Sequence, residues 1–170
     1  MSGSGKTTIG RALKEEVRKK SSNTVLVDGD EIREIFGSNN RVTSYTRPAR
    51  RENAERIVEI CKWLDRQNIH VICCILCIFP DILDMNRRRF GEYFEISIEV
   101  PLDVLIERDD KGIYKRGLNG VEPNVVGIDI PYPPPRSPDY IIKNNFGLVT
   151  PEEEARKIIV HPSVGQLHKS

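Results

Sequence analysis

Apolar residues along the chain recur in two alternating patterns. Ile9, Leu13 and Val17 recur at helical spacing and predict a helix over about residues 6–20, whereas the apolar run 24–27 predicts a strand. Applied further along the chain, the same patterns predict helices over 31–36, 48–67, 81–89, 101–105 and 151–160, and strands over 70–78, 94–100 and 139–142. Strands and helices therefore alternate.

This alternation predicts an α/β fold in which helices flank a parallel sheet. The length of 170 residues fits a single domain, which we place over residues 1–160, with 161–170 as a flexible tail. The segment 109–138 is rich in Gly and Pro and interrupted by charge, which is typical of irregular structure. Ligands of such sheets bind at the carboxyl ends of the strands, so candidate site residues are sought there.

The segment 2–8, Ser-Gly-Ser-Gly-Lys-Thr-Thr, contains most of the phosphate-binding motif G-x-x-x-x-G-K-[ST]. Gly3 and Gly5 permit a tight turn whose N–H groups point at an anion, and the helix that follows adds its positive end. In this motif Lys6 reaches the phosphates and Thr7 binds Mg²⁺. A disordered Gly/Ser-rich terminus is the competing interpretation, which the direct run into a helical pattern disfavours.

The first glycine of the motif, and the strand that normally delivers it, would lie before Met1. That strand lies near the middle of such a sheet, so we expect its absence to leave apolar faces exposed and backbone groups unpaired. Two explanations stay open. Translation begins upstream of Met1, or the chain is a truncated relative that binds nucleotide but catalyses weakly.

Composition narrows the class of protein. Hydrophobic residues make up 38% and charged residues 30% of the chain, which is typical of a soluble globular domain. The net charge of +1 gives no support for nucleic-acid binding. No apolar run is long enough to span a membrane and no signal-peptide pattern occurs, so we expect a cytoplasmic protein without a membrane partner.

The four cysteines, Cys61, Cys73, Cys74 and Cys77, are interpreted as packing residues. Cys74-x-x-Cys77 has the spacing of a metal or redox site, but no second pair exists. In a strand these two side chains would point to opposite faces. A buried free cysteine packs as a small apolar group.

Asp28-Gly29-Asp30 follows the predicted strand 24–27 and is the next candidate for chemistry. Two carboxylates at the carboxyl end of a strand can serve a metal ion or a hydroxyl nucleophile. Arg33 lies one helical turn beyond Asp30 and would face the same pocket. The structural alternative is a turn followed by Asp30 as the N-cap of a helix that begins at Glu31.

These motifs, taken with three others, resemble the adenylyl-sulfate kinase family. The resemblance covers about residues 1–145 and rests on motifs in the family's order and spacing. They are the loop 2–8, Asp28-Gly29-Asp30-x-x-Arg33, Arg50-x-x-Asn53, Arg108-Asp109-x-Lys111-Gly112-x-Tyr114-Lys115 and Gly127-Ile128-Asp129.

The resemblance implies a three-layer P-loop kinase fold and transfer of the γ-phosphoryl group of ATP to a ribose 3′-hydroxyl of a small nucleotide. It implies ATP and Mg²⁺ as cofactors and a lid over 109–128; a homodimer stays open. The implied catalytic residues are Lys6, Asp30 and Lys111; ATP binds to Ser2, Gly3, Ser4, Gly5, Lys6, Thr7 and Thr8; Mg²⁺ binds at Thr7 and Asp28; and the acceptor contacts Asp28, Arg33, Arg50, Asn53, Ile78, Phe79 and Lys111.

Three departures from the family pattern concern the acceptor. Ala49 replaces an aspartate, Phe79 replaces a serine, and Val125 replaces an aromatic residue that stacks on adenine. Loss of one stacking ring costs about 1–3 kcal/mol, by analogy with base–aromatic stacking. The segment 124–131 resembles a branch of the family that is found with surface-polysaccharide genes, in which one activity is cytidine diphosphoramidate kinase. Adenylyl sulfate and a cytidine nucleotide are therefore both kept as acceptors.

Overall fold

The computed structural model describes residues 1–36, 41–145 and 150–166. In chain order the elements are α1 (Lys6–Arg18), β1 (Thr24–Asp28), α2 (Gly29–Ile35), α3 (Arg41–Ser44), α4 (Arg47–Asp65), β2 (His70–Cys74), α5 (Pro80–Arg89), β3 (Ile96–Glu99), α6 (Leu102–Glu107), α7 (Ile113–Leu118), β4 (Tyr140–Lys143), α8 (Pro151–Ile159) and α9 (Pro162–Gln166). The predicted α/β class with parallel strands is confirmed.

The strands form two parallel pairs. In the first pair β1 lies beside β2, with Thr24 opposite His70 and Asp28 opposite Cys74. In the second pair β3 lies beside β4, with Ile96 opposite Tyr140. Within the described residues no ladder joins β2 to β3, so the sheet is divided into two halves.

Helices cover both faces of these strands. On one face α1 packs against α8, and their side chains meet the second strand pair in a core that includes Leu13, Ile142 and Ile158. On the other face α4 packs against the first pair through Ile57, which contacts the core around Val27. The resulting three layers place the loop before α1 beside the carboxyl ends of β1 and β2.

Local sequence explains where several helices begin. The side chain of Asp28 accepts hydrogen bonds from the backbone N–H groups of Asp30 and Glu31 and so caps α2. The structural alternative that made Asp30 the cap is therefore wrong by two residues. Thr46 caps α4, and Thr150 caps α8 by accepting from the Glu153 N–H, as the Thr-Pro-Glu-Glu pattern predicts.

The structure corrects three sequence expectations. The predicted strand 70–78 ends at Cys74. Its partner β1 ends at Asp28, opposite Cys74, because the chain after Asp28 turns into α2. Residues 113–118, expected to be irregular, form α7. Residues 162–166, expected in a flexible tail, form α9, whose Val164 is buried against α8; residues 167–170 lie outside the described chain.

A search of the described helices found none that is both long enough and apolar enough to cross a bilayer.

Candidate active site

The loop before α1 has the backbone conformation that an anion cradle needs. Gly3 and Gly5 have φ values of +71° and +89°, in the left-handed region that favours glycine. Gly5 is the N-cap of α1, so the positive end of this 13-residue helix faces the loop. Neighbouring side chains hold the loop from outside: Tyr114 donates to the Ser2 carbonyl at 3.0 Å and Asn144 donates to the Ser4 carbonyl at 3.0 Å.

Lys6 is folded back onto this loop. Its Nζ donates to the Met1 carbonyl at 2.6 Å and to Ser4 Oγ at 3.3 Å. Burial lowers the pKa of Lys6, and the nearby carboxylates of Asp30 and Asp28 oppose that shift. A phosphate in the cradle would offer this ammonium group a stronger, charged acceptor than a carbonyl.

Thr7 and Asp28 present oxygen atoms side by side next to the loop. Thr7 Oγ1 donates to Asp28 Oδ2 at 2.6 Å, while Asp28 Oδ1 accepts from the Asp30 N–H at 2.8 Å. No group of three or more His, Cys, Asp or Glu residues in the described chain is arranged to hold a metal ion. Two hard oxygen donors fit Mg²⁺, which keeps most of its water and takes further ligands from phosphates.

Two buried arginines stack on one tyrosine across the cavity from the loop. The guanidinium carbons of Arg33 and Arg50 lie 4.5 Å and 5.1 Å from the centre of the Tyr45 ring. Arg33 Nη1 donates to the Ser44 carbonyl at 2.5 Å, and Arg50 Nε donates to the Tyr45 carbonyl at 2.8 Å. We call Arg33, Tyr45 and Arg50 the arginine shelf. Burial, followed by the like charge of Arg33, lowers the pKa of Arg50.

The far wall of the shelf is a turn fixed by one carboxylate. Asp129 accepts from the backbone N–H groups of Asn124 at 2.6 Å and Val125 at 2.5 Å. Asn124 has a φ of +66°, and its carbonyl accepts from Arg50 Nη2 at 2.9 Å. This turn places the buried Val125 side chain at the wall of the cavity.

Buried polar atoms at the shelf lack partners. Arg33 Nε and Asn53 Oδ1 are both buried without a hydrogen bond, although Asn53 Nδ2 donates to the Gly29 carbonyl at 3.3 Å. A buried polar atom without a partner costs roughly 1–3 kcal/mol. Both residues line the cavity, which makes these atoms candidates for contact with a bound molecule.

The loop, the carboxylates and the arginine shelf line one cavity of about 330 Å³. The cavity brings together the following predicted site residues: Ser2, Gly3, Gly5, Lys6, Thr7, Thr8, Asp28, Asp30, Arg33, Arg50, Asn53 and Lys111. The charge of Asp30 raises the pKa of both Lys6 and Arg50, so this carboxylate lies between the loop and the arginine shelf.

Three predicted residues lie elsewhere. Ser4 is fully buried beneath the loop and donates to the Met1 carbonyl at 2.9 Å, so it supports the cradle. Ile78 and Phe79, expected to contact the acceptor, do not line this cavity. Both are buried between α4 and α5, since the chain beyond Cys74 turns into the core on that side. Arg47 and Arg51 lie over the Phe79 ring at 5.4 Å and 4.7 Å.

Sequence reasoning missed Tyr45, Asn124 and Asn144 as site residues. Tyr45 sits in a polar stretch just before α4, where no periodic pattern marks it. The carbonyl of Asn124 and the amide of Asn144 act through backbone contacts that depend on tertiary structure. The one sequence feature that could have indicated this part of the site is the aromatic ring of Tyr45, five positions before Arg50.

All four cysteines are free thiols. Cys61 and Cys74 are buried, as predicted for packing residues, and Cys74 Sγ contacts the Lys6 carbonyl at 3.4 Å. Cys73, by contrast, is exposed rather than buried. It lines a second cavity, which lies between β2 and β3.

Comparison with known proteins agrees with this geometry. The family model described as adenylylsulphate kinase matches residues 1–143. The chain is 41% identical to a cytidine diphosphoramidate kinase of Campylobacter jejuni, over 85% of this chain and 82% of that protein. It is 35% identical to an adenylyl-sulfate kinase of Clostridium kluyveri, over 88% of this chain and 74% of that protein.

Solved structures show the same fold. The crystal structure of APE1195 superposes with a TM-score of 0.80 at 29% identity, covering 99% of this chain and 93% of that one. The Mycobacterium tuberculosis APS kinase CysC, in complex with AMPPNP and APS, superposes with a TM-score of 0.81 at 23% identity, covering 94% and 91%. The chain therefore belongs to the adenylylsulphate kinase family and is an ATP-dependent kinase of that type, which confirms the resemblance and the P-loop fold.

Proposed function

We propose that this member of the adenylylsulphate kinase family transfers the γ-phosphoryl group of ATP to the ribose 3′-hydroxyl of a small nucleotide. The observation that carries the proposal is one cavity with a phosphate cradle on one side, an arginine shelf on the other and Asp30 between them. Phosphoryl transfer needs positioning and charge neutralisation more than covalent help, and this arrangement supplies both.

On the donor side, the loop backbone and Lys6 hold the phosphates of ATP. Lys6 would exchange its bond to the Met1 carbonyl for the β- and γ-phosphates. Thr7 and Asp28 hold Mg²⁺, which supplies charge neutralisation on the phosphates when it is bound.

On the acceptor side, Asp30 orients the ribose hydroxyl and accepts its proton. Asp30 is exposed to the cavity, and its backbone is fixed by the bond to Asp28 Oδ1, so the carboxylate is positioned but free of the capping role. A positioned carboxylate of this kind typically contributes about 10²–10⁴-fold to rate.

The arginine shelf binds the anionic part of the acceptor. Two guanidinium groups stacked on Tyr45 present fixed donors to a phosphate or sulfate, and Asn53 Oδ1 accepts from a hydroxyl or amino group. Residues 109–128 act as a lid whose exposed Lys111 reaches the transferred phosphate and whose closure excludes water.

Two acceptors fit this chemistry, and the cytidine diphosphate derivative fits better than adenylyl sulfate. Val125 gives the cavity a small aliphatic wall where the family pattern has an aromatic residue, which favours a pyrimidine over a purine. The relative that is 41% identical is named a cytidine diphosphoramidate kinase, whereas the adenylyl-sulfate kinase of Clostridium kluyveri is 35% identical.

The test compares kcat/KM for cytidine diphosphoramidate and adenylyl sulfate in one assay with Mg·ATP. We expect the cytidine nucleotide to be preferred, and Val125→Phe to shift the ratio toward adenylyl sulfate by about tenfold, since a stacking ring is worth about 1–3 kcal/mol. Val125→Leu is the matched control, because it adds volume without a ring and should leave the ratio unchanged. A preference for adenylyl sulfate in the unmodified chain would assign that acceptor instead, and no turnover of either would favour a protein that only binds nucleotide.

A further inference from the structure

Two side chains from distant parts of the chain hold carbonyl groups of the phosphate loop. The hydroxyl of Tyr114, in α7, donates to the Ser2 carbonyl, and Nδ2 of Asn144, just beyond β4, donates to the Ser4 carbonyl, each at 3.0 Å. The bonds join residues that are 112 and 140 positions apart in the sequence. The tertiary fold, and not the local sequence of the loop, therefore supplies both donors.

The held carbonyls alternate with the two glycines of the loop. A trans peptide, the form found throughout the described chain, points its C=O and the N–H that follows in opposite directions. A donor on the Ser2 carbonyl therefore turns the Gly3 N–H the other way, and a donor on the Ser4 carbonyl does the same for the Gly5 N–H. Gly3 and Gly5 both line the cavity, and neither N–H donates to another described residue. These two N–H groups are thus left for an anion in the cavity.

The backbone of this loop is one that needs support from outside. Gly3 and Gly5 have positive φ values of +71° and +89°, but glycine populates positive and negative φ about equally well. An unsupported loop would therefore sample many shapes, of which few point successive N–H groups at one anion. Fixing two of its carbonyls selects the binding shape before the ligand arrives and lowers the cost of ordering the loop.

Tyr114 is a rigid anchor for the first of these peptides. Its side chain is only 1% exposed, and its ring packs in a core with Val100, Leu105 and Val125. Burial raises the pKa of Tyr114 to about 12, so the hydroxyl remains protonated and able to donate at neutral pH. The packing of the ring thus fixes where the donor meets the loop.

Asn144 is anchored by the second strand pair. Its backbone N–H donates to the Glu99 carbonyl at 3.0 Å, one position beyond the paired residues of β3 and β4. The side-chain amide lies directly against the loop, because a Cβ added to Gly5 would come within 2.8 Å of Asn144 Nδ2. The close approach therefore requires glycine at position 5, where the positive φ also favours it.

We propose that Tyr114 and Asn144 are positioning residues for the nucleotide, because they orient two peptides of the loop so that backbone N–H groups point at its phosphates. The inference rests on the proposed binding of ATP phosphates in this loop. Each residue acts through a different glycine: Tyr114 acts through the Gly3 N–H and Asn144 through the Gly5 N–H. Loss of one side chain should therefore disturb one glycine and spare the other.

The test observes the two glycines by NMR, with Mg·ADP as the ligand and no acceptor. Of the 12 glycines in the chain, only Gly3 and Gly5 follow a serine. Labelling serine with carbonyl ¹³C and glycine with ¹⁵N therefore selects these two amide signals in an HNCO spectrum. Ser2→Ala, which removes the selected signal of Gly3, assigns the pair.

In the unmodified chain we expect both amide proton signals to move downfield on binding, since both N–H groups gain a charged acceptor. Tyr114→Phe removes the hydroxyl and keeps the buried ring, so it should reduce the movement of the Gly3 signal and leave that of Gly5. Asn144→Ala should reduce the movement of Gly5 and leave that of Gly3. A variant that merely loosens the fold would affect both signals alike.

Calorimetry gives an independent readout of the same proposal. Tyr114→Phe and Asn144→Ala should each raise Kd for Mg·ADP by about three- to tenfold, the range that corresponds to one hydrogen bond. Tyr140→Phe and Asn145→Ala are the matched controls and should leave Kd unchanged. The Tyr140 hydroxyl donates to Glu154 Oε2 at 3.2 Å, away from the loop, and Asn145 is the exposed neighbour of Asn144.

Several results would overturn the proposal. They are an unchanged Kd in both variants, equal responses of the two glycines, or a Kd in the controls that rises as much as in the variants. If neither variant folds, the unmodified chain decides, because binding of Mg·ADP without downfield movement of Gly3 and Gly5 overturns the proposal and leaves the kinase proposal standing. Failure of the unmodified chain to bind Mg·ADP would overturn both.

Discussion

At the scale of single residues, the site depends on carboxylates that have different tasks. Asp28 and Asp30 are separated by one glycine, yet Asp28 is committed to Thr7 and to capping α2, whereas Asp30 is exposed to the cavity. The difference follows from the backbone: Asp28 ends a strand and Asp30 lies in the first turn of a helix. Of the two carboxylates, Asp30 is therefore the one open to the cavity, which is why we propose it for contact with the acceptor hydroxyl.

Asp30→Asn should lower kcat by about 10²-fold or more, since an amide cannot accept the proton of the hydroxyl. KM for ATP should change little, because we propose that Lys6 and the loop, rather than Asp30, bind the nucleotide. Glu31→Gln is the control: Glu31 is the next residue of the same helix, and its exposed side chain forms a 3.9 Å ion pair with Arg11. Steady-state kinetics check the prediction, and full turnover by Asp30→Asn would remove the role assigned to this carboxylate.

At the scale of elements, the close approach of α1 to β2 sets the position of the phosphate cradle. Gly10 is buried in α1, and a Cβ added to it would collide with Cys74 Sγ and lie 3.2 Å from Leu26 Cδ1. The glycine therefore allows the helix to lie against the strands, which holds Lys6 above their carboxyl ends.

Gly10→Ala should destabilise the protein by about 1–3 kcal/mol, the usual cost of overpacking, despite the better helix propensity of alanine. Urea unfolding measures the loss. Gly91→Ala is the control, because an added Cβ there meets nothing within 4 Å. The double variant Gly10→Ala with Cys74→Ala should recover part of the stability, and an undiminished loss would place the strain elsewhere.

Element types were largely predictable from sequence, and contacts between elements were not. The helical spacing of Ile9, Leu13 and Val17 gave α1 to within two residues of its observed end, Arg18. The end of β2 at Cys74 depends on where its partner β1 stops, which no local pattern records. Likewise Ile78 and Phe79 matched a family position, but the turn of the chain into the core removed them from the cavity.

At the scale of the whole molecule, an ion pair joins α5 to the second strand pair. Arg87 donates from both terminal nitrogens to Asp139, at 2.9 Å and 3.0 Å, and Asp139 also accepts from the Glu95 N–H at 2.7 Å. Burial raises the pKa of Asp139, but the hydrogen bonds from Arg87 and Glu95 outweigh it, and the net pKa is lowered. This carboxylate therefore stabilises the fold at pH values above the pKa of an unfolded aspartate. The stabilisation is lost as the pH falls through the lower pKa that Asp139 has in the folded protein.

Arg87→Met should lower the free energy of unfolding by about 1 kcal/mol at neutral pH. The guanidinium is partly exposed and is bonded to Asp139, to Glu95 and to the Ser137 carbonyl. The loss should shrink at an acidic pH below the lowered pKa of Asp139, where the carboxylate becomes protonated. Arg88→Met is the control, since Arg88 is the exposed neighbour in the same helix. Denaturant unfolding at both pH values checks the sign, and a loss that does not depend on pH would contradict the electrostatic account.

The central claim is that, within one cavity, the protein transfers the γ-phosphoryl group of ATP to a ribose hydroxyl of a small nucleotide. The most direct measurement is ³¹P NMR of the reaction mixture with Mg·ATP and the cytidine and adenylyl acceptors in turn. The account predicts loss of the γ-phosphate signal of ATP and appearance of a phosphomonoester signal that is coupled to C3′ of the acceptor ribose. Neither change is expected with Lys6→Ala. Release of inorganic phosphate alone, or a new ester at any other position, would contradict it.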